Sequence, residues 1–248
     1  MCQTFNIPII VAQASSLNTS IRFNGSKEEV GRKLRRFFFE QTLMQHNAHA
    51  IALAHHLNDQ QETFFVRLLR GSSLNGLLCM SAWDGHYLRP LLDRTKDEIL
   101  EFLHAHKITY LTDPTNISNA FLRNRIRQQV LPALKACDSR LDESFQSTLE
   151  QLKQEDEFLT RYTSTIFSTL FTKVQPLQGD LKQFRAQDPV IQRRLLLQWL
   201  IAENIPFTPS TGLLEEILRF LLSEHGGNHH IGTTATICKK QSRFWIER

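Results

Sequence analysis

The sequence has few cysteines, and none of them lie close together. Its four cysteines, Cys2, Cys79, Cys137 and Cys238, are spread over 248 residues without a Cys-x-x-Cys pair. A secreted disulfide framework would be denser, and a zinc or iron–sulfur site would need closer spacing. The pattern therefore predicts a protein of a reducing compartment, which we interpret as the cytoplasm.

Long apolar runs are absent as well. No run approaches the roughly 20 residues that span a bilayer, so the sequence excludes a transmembrane protein. Residues 7–14 (Ile-Pro-Ile-Ile-Val-Ala-Gln-Ala) come nearest to the core of a signal peptide, but no Lys or Arg precedes them. We interpret residues 7–12 as a buried strand, with a cleaved signal peptide as the alternative.

The chain also lacks a large net charge of either sign. The 29 Lys and Arg residues against 25 Asp and Glu residues give a net charge of +4 and a pI near 9.0. This balance permits an anionic partner without requiring one. Hydrophobic residues make up 41% of the chain and charged residues 22%, which allows a conventional core and excludes general disorder.

The first half of the chain alternates between strand-like and helix-like patterns. Apolar runs at residues 7–12, 50–54 and 108–111 predict strands. Helical periodicity over residues 59–70 follows the second run, and the capping box Thr-Lys-Asp-Glu at residues 95–98 begins another helix. This alternation is typical of a parallel α/β sheet with right-handed crossovers.

The second half shows no such alternation until its last residues. Helical patterns cover residues 139–170, 189–202 and 212–222. Alternating polar and apolar residues after His229 predict a short C-terminal hairpin. We therefore predict a Rossmann-like α/β domain with a parallel sheet over residues 1–136, followed by a mainly helical domain over residues 137–248.

Polar side chains are crowded where the second predicted strand ends. His55 and His56 follow that strand, and Asn58, Asp59 and Glu62 belong to the first turns of the next helix. In an open parallel sheet, ligands bind at the carboxyl ends of the strands, beside helix N-termini. Asp59 and Glu62 share a helix face, so together they suit a cation or an ammonium group. The alternative is that Asn58 caps the helix while the two acids offset its dipole.

A second candidate group is basic. The stretch from Leu122 to Cys137 has four basic residues and no acidic ones, and it includes Arg123, Arg125 and Arg127. Guanidinium groups suit phosphate oxygens, so this stretch is a candidate contact with a nucleic-acid backbone. The alternative is a solvated basic face.

Two other groups are weaker candidates. His225, His229, His230 and Cys238 are residue types that bind metals. Neighbouring histidines rarely ligate the same ion, so we predict no resident metal there. Asp-Pro-Thr-Asn at residues 113–116 is, by itself, ordinary turn chemistry.

Several motifs, taken together, agree in order and spacing with a known family. They are His-His-Leu-Asn-Asp-Gln-Gln-Glu-Thr at residues 55–63, Arg-Leu-Leu-Arg-Gly-Ser at 67–72, Leu-Asn-Gly-Leu at 74–77, Arg-Pro-Leu-Leu at 89–92, Asp-Pro-Thr-Asn at 113–116, Arg-Asn-Arg-Ile-Arg at 123–127 and Gln-Arg-Arg-Leu-Leu at 192–196. In these stretches the sequence resembles the PP-loop ATP pyrophosphatases, and among them the tRNA(Ile)-lysidine synthetases. The resemblance is specific through residue 135 and looser beyond it.

The resemblance implies a fold and a reaction. The fold is that of the adenine nucleotide alpha hydrolase-like proteins. The reaction uses ATP, with Mg²⁺, to adenylate C2 of the wobble cytidine in the anticodon stem-loop of tRNA(Ile). The amine of free L-lysine then displaces AMP, and the lysidine formed changes the codon read from AUG to AUA. A homodimer is left open.

The resemblance also implies roles for the residues singled out above. It implies catalytic roles for Asp59, Glu62 and His55, nucleotide contacts for His56 and Asn58, and tRNA contacts for Arg123, Arg125 and Arg127. Two fixed carboxylates would orient the lysine ammonium, and the arginines would position a tRNA phosphate or offset charge on the adenylate.

The chain departs from the family pattern at two points. The Ser-Gly-Gly-x-Asp-Ser phosphate loop does not occur in it, so we expect the chain to begin after the first strand, loop and helix of the family. Asn58 stands where many relatives have a second aspartate. A non-catalytic tRNA-binding remnant therefore stays open as an alternative, whereas a related tRNA-thiolating enzyme is disfavoured because paired cysteines are lacking.

Overall fold

A computed structural model describes residues 5–14, 27–111, 121–172, 176–205, 211–232 and 235–248. The chain divides into two compact units, Met1–Thr148 and Leu149–Arg248. The division falls inside the long helix Leu141–Leu170, because that helix contributes residues to both units. The functional boundary between residues 136 and 137 stays a prediction. Among the described helices, none is long and apolar enough to cross a membrane.

The first unit combines helices with three short strands. Its elements are α1 (Lys27–Gln45), β1 (Ile51–Ala52), α2 (Leu57–Leu69), α3 (Leu74–Leu77), β2 (Trp83–Asp84), β3 (Tyr87–Leu88), α4 (Lys96–Ala105), α5 (Leu122–Arg125), a π-helical turn (Ile126–Val130) and α6 (Leu131–Cys137). Strand β1 pairs in parallel with β3, and β2 pairs antiparallel with β3. The strand predicted at residues 50–54 is therefore present as β1. Strands β2 and β3 were not predicted, and β3 forms the parallel pair, with helix α2 in the connection.

Two predicted strands are wrong. Residues 7–12 and 108–111 are not strands, and they form no ladder pairs with the described part of the chain. The side chains of Val11 and Leu111 are 83% and 100% exposed. A β-branched apolar run has strand propensity, but it forms a strand only where a neighbouring strand supplies its hydrogen bonds. No described strand does so for these two runs.

The helix signals read from the sequence are confirmed in α2 and α4. Helix α2 ends before Gly71, whose φ of 71° is left-handed and suits glycine. Helix α4 begins with the predicted capping box, in which the Thr95 hydroxyl accepts from Glu98 N–H at 3.1 Å and the Glu98 carboxylate accepts from Thr95 N–H at 2.6 Å.

A π-helical turn separates α5 from α6. In it, Leu131 N–H donates to the carbonyl of Ile126, five residues earlier. The next residue, Pro132, has no N–H to donate, so the α-helical ladder is interrupted at this point. Turns of this kind are frequent at functional sites, and this one carries Arg127.

The second unit is a helical layer on an antiparallel sheet. Beyond α7 (Leu141–Leu170), its elements are β4 (Gly179–Asp180), α8 (Leu181–Arg185), α9 (Pro189–Ala202), α10 (Thr211–Leu222), β5 (Gly227–Ile231), β6 (Ala235–Lys240) and β7 (Arg243–Glu247). The strand order is β4-β7-β6-β5, so the predicted hairpin is part of a four-stranded sheet. The core lies between the sheet and the helices, with Trp199, Phe184 and Phe244 fully buried in it. Strand β4 was not predicted from the sequence, because a strand of only two residues gives no periodic pattern.

Candidate active site

The candidate site lies at the edge where the two parallel strands end. The register pairs Ala52 of β1 with Leu88 of β3, and Leu53 N–H donates to the Leu88 carbonyl at 2.8 Å. His55 and His56 follow β1 at this edge and lead directly into α2. The first turn of α2 is held there because Leu57 N–H donates to the Arg94 carbonyl at 2.8 Å. The carboxyl edge of parallel strands is the usual place for a ligand in such sheets.

Asp59 combines capping with a charged contact. Its Oδ2 accepts from His56 N–H at 3.0 Å. The N-cap of α2 is His56, so the alternative in which Asn58 caps this helix is wrong, whereas Asp59 does lie in the first turn. Its Oδ1 lies 3.5 Å from a guanidinium nitrogen of Arg123, and 15% of the Asp59 side chain is exposed. One carboxylate oxygen is therefore only loosely engaged and close to solvent.

Glu62 is buried and fully engaged. Its side chain is 1% exposed. Oε2 accepts from Arg123 Nε at 2.7 Å and from Arg127 Nη2 at 3.1 Å, while Oε1 accepts from Arg127 Nε at 2.6 Å. The cation that Asp59 and Glu62 share in this structure is thus the Arg123 guanidinium. A buried carboxylate requires such pairing, because an unpaired charge in the interior is strongly unfavourable.

The three arginines fall into two groups. Arg123 and Arg127 turn inward to Glu62, and each side chain is still 34% exposed. The hydrogen bond to Glu62 raises the pKa of Arg127 above its ordinary value. Arg125 is exposed and has no ion pair among the described residues. The structure therefore brings two of the three together with the acids and leaves the third at the surface.

Asn58 links helices. Its Oδ1 accepts from Lys96 N–H at the start of α4 at 2.8 Å, and its Nδ2 donates to Gln61 Oε1 at 3.3 Å. Gln61 in turn donates to Asp142 Oδ1 at 2.7 Å, and Asp142 Oδ2 is 2.8 Å from Lys135 Nζ. This chain of contacts fixes the first turn of α2 against α4, α6 and the start of α7. A nucleotide contact for Asn58 stays a prediction.

The two histidines have unpartnered nitrogens. His55 Nδ1 and His56 Nδ1 are buried without a hydrogen-bond partner in the described part of the chain. Burial lowers the pKa of His55 from its ordinary value; the Asp59 carboxylate opposes this shift, and the charges of Arg89, Arg123 and Arg32 add to it. His55 is therefore neutral near pH 7, with one ring nitrogen available as a donor or acceptor.

Two glutamines that the sequence did not mark as site residues, Gln60 and Gln61, hold this site together. Gln60 and Gln61 are buried, at 5% and 1% exposure. Gln60 clamps the loop after α3, because its side chain both donates to the Met80 carbonyl and accepts from Met80 N–H, each at 2.8 Å. Glutamine is usually exposed, so residue type gave no signal here. Their place on the helix turn that carries Asp59 was the one available signal.

Two weaker candidates have separate outcomes. Among the described residues, no group of three or more His, Cys, Asp or Glu side chains is placed to hold a metal ion. His230 Nδ1 pairs with Thr236 Oγ1 at 2.9 Å, and His229 Nε2 lies 3.9 Å from Glu216. The motif at residues 113–116 lies outside the described residues.

Comparison with family models defines the class of protein. Residues 1–134 match the model of the PP-loop domain, which covers more than half of the chain. Residues 180–244 match the model of the TilS substrate binding domain. The chain therefore belongs to the PP-loop family, and the resemblance seen in its motifs is confirmed, as is the predicted α/β region followed by helical structure.

Within this family, the chain is similar to curated proteins of one particular kind. The chain is 32% identical to the tRNA(Ile)-lysidine synthase of Bacillus subtilis (strain 168), over 92% of this chain and 48% of that protein. It is 30% identical to the tRNA(Ile)-lysidine synthase of Borreliella burgdorferi (strain ZS7), over 100% of this chain and 54% of that protein. The chain thus spans about half the length of the curated relatives it matches.

A solved structure is also similar. The U34-tRNA thiolase NcsA from Methanococcus maripaludis, with its iron–sulfur cluster, aligns at a TM-score of 0.49 and 18% identity. The alignment covers 61% of this chain and 53% of that one. In the present chain, Cys79, Cys137 and Cys238 are free cysteines, and burial raises the pKa of Cys79 to about 11.

Proposed function

We propose that this chain performs the reaction of a tRNA(Ile)-lysidine synthase, the ATP-dependent ligation of L-lysine to C2 of the wobble cytidine of tRNA(Ile). The observation that carries the proposal is the cluster in which Asp59, Glu62, Arg123 and Arg127 meet at the carboxyl edge of the parallel strands. Membership of the PP-loop family and the names of the curated relatives support it.

ATP is the nucleotide in this proposal. The unpartnered nitrogens of His55 and His56 fit the polar groups of a nucleotide bound at the sheet edge. No described cluster offers three protein ligands to a metal, so a Mg²⁺ ion would be held chiefly by phosphate oxygens and water. The nucleotide supplies the adenylyl group that turns O2 of cytidine into part of a leaving group, AMP.

Asp59 is the residue that we assign to the lysine substrate. Its Oδ1 is only loosely engaged by Arg123, on a side chain that is 15% exposed, and so can accept from an ammonium or amine group. Glu62 has both oxygens occupied by arginines, so its part is to hold Arg123 and Arg127 in place. Orienting the amine in this way converts an encounter in solution into a positioned attack, which is a large source of rate.

The proposed bond changes occur in two steps. O2 of the wobble cytidine bonds to the α-phosphorus of ATP and pyrophosphate leaves; the lysine amine then bonds to C2 and AMP leaves with O2. Neutral His55 is suited to accept the proton that the amine loses. The exposed parts of Arg123 and Arg127 are suited to stabilise negative charge on the departing phosphate.

The anticodon stem-loop of tRNA(Ile) is the proposed macromolecular partner. Arg125 is exposed beside the cluster and has no ion pair among the described residues, so we assign it a backbone phosphate. Residues 180–244 match a substrate binding domain, so we assign this unit its own contact with the RNA. ATP, lysine and tRNA are cytoplasmic, and we place the protein there. A homodimer stays a prediction that sedimentation would measure.

The direct test is incorporation of radiolabelled lysine into a tRNA(Ile) transcript, with AMP and lysidine followed by chromatography and mass spectrometry. We expect Asp59→Asn to abolish incorporation and to leave RNA binding within about twofold. Glu101→Gln is the matched control, because Glu101 is an exposed carboxylate on α4, away from the cluster in sequence. We expect Arg125→Ala to weaken RNA binding and to lower the salt slope by about one.

The outcomes separate the competing functions. Lysidine formation that depends on Asp59 supports the proposal. Binding of the stem-loop without AMP or lysidine would instead identify a tRNA-binding remnant. Incorporation by Asp59→Asn at the rate of the unaltered chain would overturn the role given to that carboxylate.

A further inference from the structure

Arg89 occupies a position at the sheet edge to which no role has been given. It follows directly after β3, whose last residue, Leu88, pairs with Ala52 of the parallel strand β1. Because Leu53 N–H donates to the Leu88 carbonyl, the segments that follow β1 and β3 leave the sheet side by side. Arg89 and His55 therefore emerge at the same carboxyl edge, the place where parallel sheets bind ligands.

The charge of Arg89 is poorly compensated. Its side chain is 10% exposed, so nine-tenths of it is buried. Its Nη1 donates to the Ser81 carbonyl at 2.8 Å. The nearest carboxylate, Asp84, lies 3.8 Å away and is itself 65% exposed. Such a pair gives little compensation to a cation removed from water.

Arg89 also has a nitrogen without a partner. Its Nε is buried and has no hydrogen-bond partner within the described part of the chain. A buried donor of this kind is rare in folded proteins, because leaving it unpaired is unfavourable. A buried guanidinium with an unpaired N–H suits an anion, because an anionic oxygen accepts that hydrogen bond and offsets the charge.

His55 supplies a second unpartnered group at the same edge. Its Nδ1 is likewise buried without a partner among the described residues. After burial and the opposing Asp59 carboxylate, the charges of Arg89, Arg123 and Arg32 also lower the pKa of His55, so Arg89 acts electrostatically on this ring. The Asp59 carboxylate that opposes them also lies 3.5 Å from a guanidinium nitrogen of Arg123.

We propose that Arg89 and His55 bind a phosphoryl group at the carboxyl edge of β1 and β3. Guanidinium nitrogens match phosphate oxygens in geometry and charge, and a neutral imidazole donates one further hydrogen bond. The phosphoryl group belongs either to the nucleotide or to the RNA backbone; this choice rests on the proposed function, whereas the anion site does not.

The test compares Arg89→Met with Arg89→Lys and with the unaltered chain. Met fills a similar volume without charge, so it removes the uncompensated cation. We expect the melting temperature of ligand-free Arg89→Met to rise, while its affinity for the phosphate-bearing probe falls at least tenfold. Arg89→Lys keeps the charge and should lose less affinity. Arg94→Met is the matched control in the same loop, because Arg94 is 57% exposed.

Three probes distinguish the source of the phosphate: ATP with Mg²⁺, adenosine, and an anticodon stem-loop RNA. Weaker binding of ATP by Arg89→Met, with adenosine and RNA unchanged, assigns the site to the nucleotide. Weaker binding of RNA alone assigns it to the RNA backbone. A lower melting temperature together with unchanged affinity for both ligands would mean that Arg89 is purely structural and would overturn the inference.

Failure of this inference is separable from failure of the proposed function. If the unaltered chain forms lysidine and Arg89→Met keeps full affinity for ATP and RNA, only the Arg89 site is wrong. If the unaltered chain forms no lysidine yet loses phosphate affinity on Arg89→Met, only the reaction is wrong. An unaltered chain that binds neither ATP nor RNA contradicts the phosphate site as well.

Discussion

The two compact units bury different kinds of side chain. In the second unit, the core is a continuous apolar cluster that includes Trp199, Phe244 and Ile217, each 0% exposed. In the first unit, the side chains buried most deeply on α2 include Gln61 and Glu62, each 1% exposed. Apolar contacts need only shape and volume, whereas buried polar groups need specified partners.

Buried polar groups of the second unit mostly serve the backbone. Lys239 donates to the Ser223 carbonyl at 2.8 Å, and Glu203 accepts from Leu177 N–H at 2.6 Å. The pair of Asp156 and Arg194 is the exception. In the first unit, by contrast, Glu62 pairs with charged side chains from another helix. The buried side chains of the second unit therefore mainly contribute apolar packing, whereas the buried polar side chains of α2 hold charged groups in position.

The largest effect is expected in the apolar core. Trp199→Ala should destabilise the second unit by about 3–5 kcal/mol, because it removes a fully buried indole stacked among Phe171 and Phe244. Denaturant titration with hydrogen exchange followed over α9 and α10 would measure the loss. Trp199→Phe is the control: its cost should stay below about 1.5 kcal/mol, since the indole N–H has no partner among the described residues. Equal costs for the two changes would contradict this account of the core.

Breaking the charged cluster should come next. Arg127→Ala should cost about 3 kcal/mol, because Glu62 stays buried and loses two of its hydrogen bonds. Arg125→Ala, at an exposed neighbouring position, should stay within about 0.5 kcal/mol. Adding Glu62→Met to Arg127→Ala should restore much of the stability, since it removes the buried charge. If the double variant is less stable than Arg127→Ala, the destabilisation does not come from an unpaired carboxylate.

A smaller effect should follow from cutting the helix-linking hydrogen bonds. Gln61→Leu keeps the side-chain volume and removes the bond to Asp142, which should cost about 1–3 kcal/mol. Lysine incorporation should fall with it, because α2 is then held less firmly against α7. Gln146→Leu removes an exposed bond to the Asp93 carbonyl and serves as the control. A stability equal to that of the unaltered chain would show that this network does not hold α2.

The smallest effect concerns pH. The pKa of His55 is lowered in the folded protein, so below its ordinary value of 6.5 the unfolded chain takes up a proton more readily. The corresponding stability is fully present above pH 6.5 and is lost as the pH falls through the folded pKa. His55→Gln should flatten the stability profile in this window, whereas His46→Gln, at an exposed position, should not. A profile that keeps its slope in His55→Gln would assign the dependence to another group.

Local signals predicted much of the fold. The predicted helix at residues 189–202 coincides with α9, and the capping box at Thr95 begins α4 as expected. Both depend on contacts within a few residues, which the sequence displays directly. The wrong strands, at residues 7–12 and 108–111, depend on a neighbour elsewhere in the chain. The strand propensity of a residue gives no information on whether such a neighbouring strand exists.

The amino-acid sequence by itself determined that α2 is a helix ending before Gly71, that Asp59 and Glu62 share one of its faces, and that the chain resembles the PP-loop family. Only the tertiary structure decided that Glu62 is buried and that its partners are Arg123 and Arg127, which lie 61 and 65 residues further along the chain. The reason is physical. Helical periodicity is set by bonds four residues apart, whereas the partner of a buried charge is set by which helices pack together.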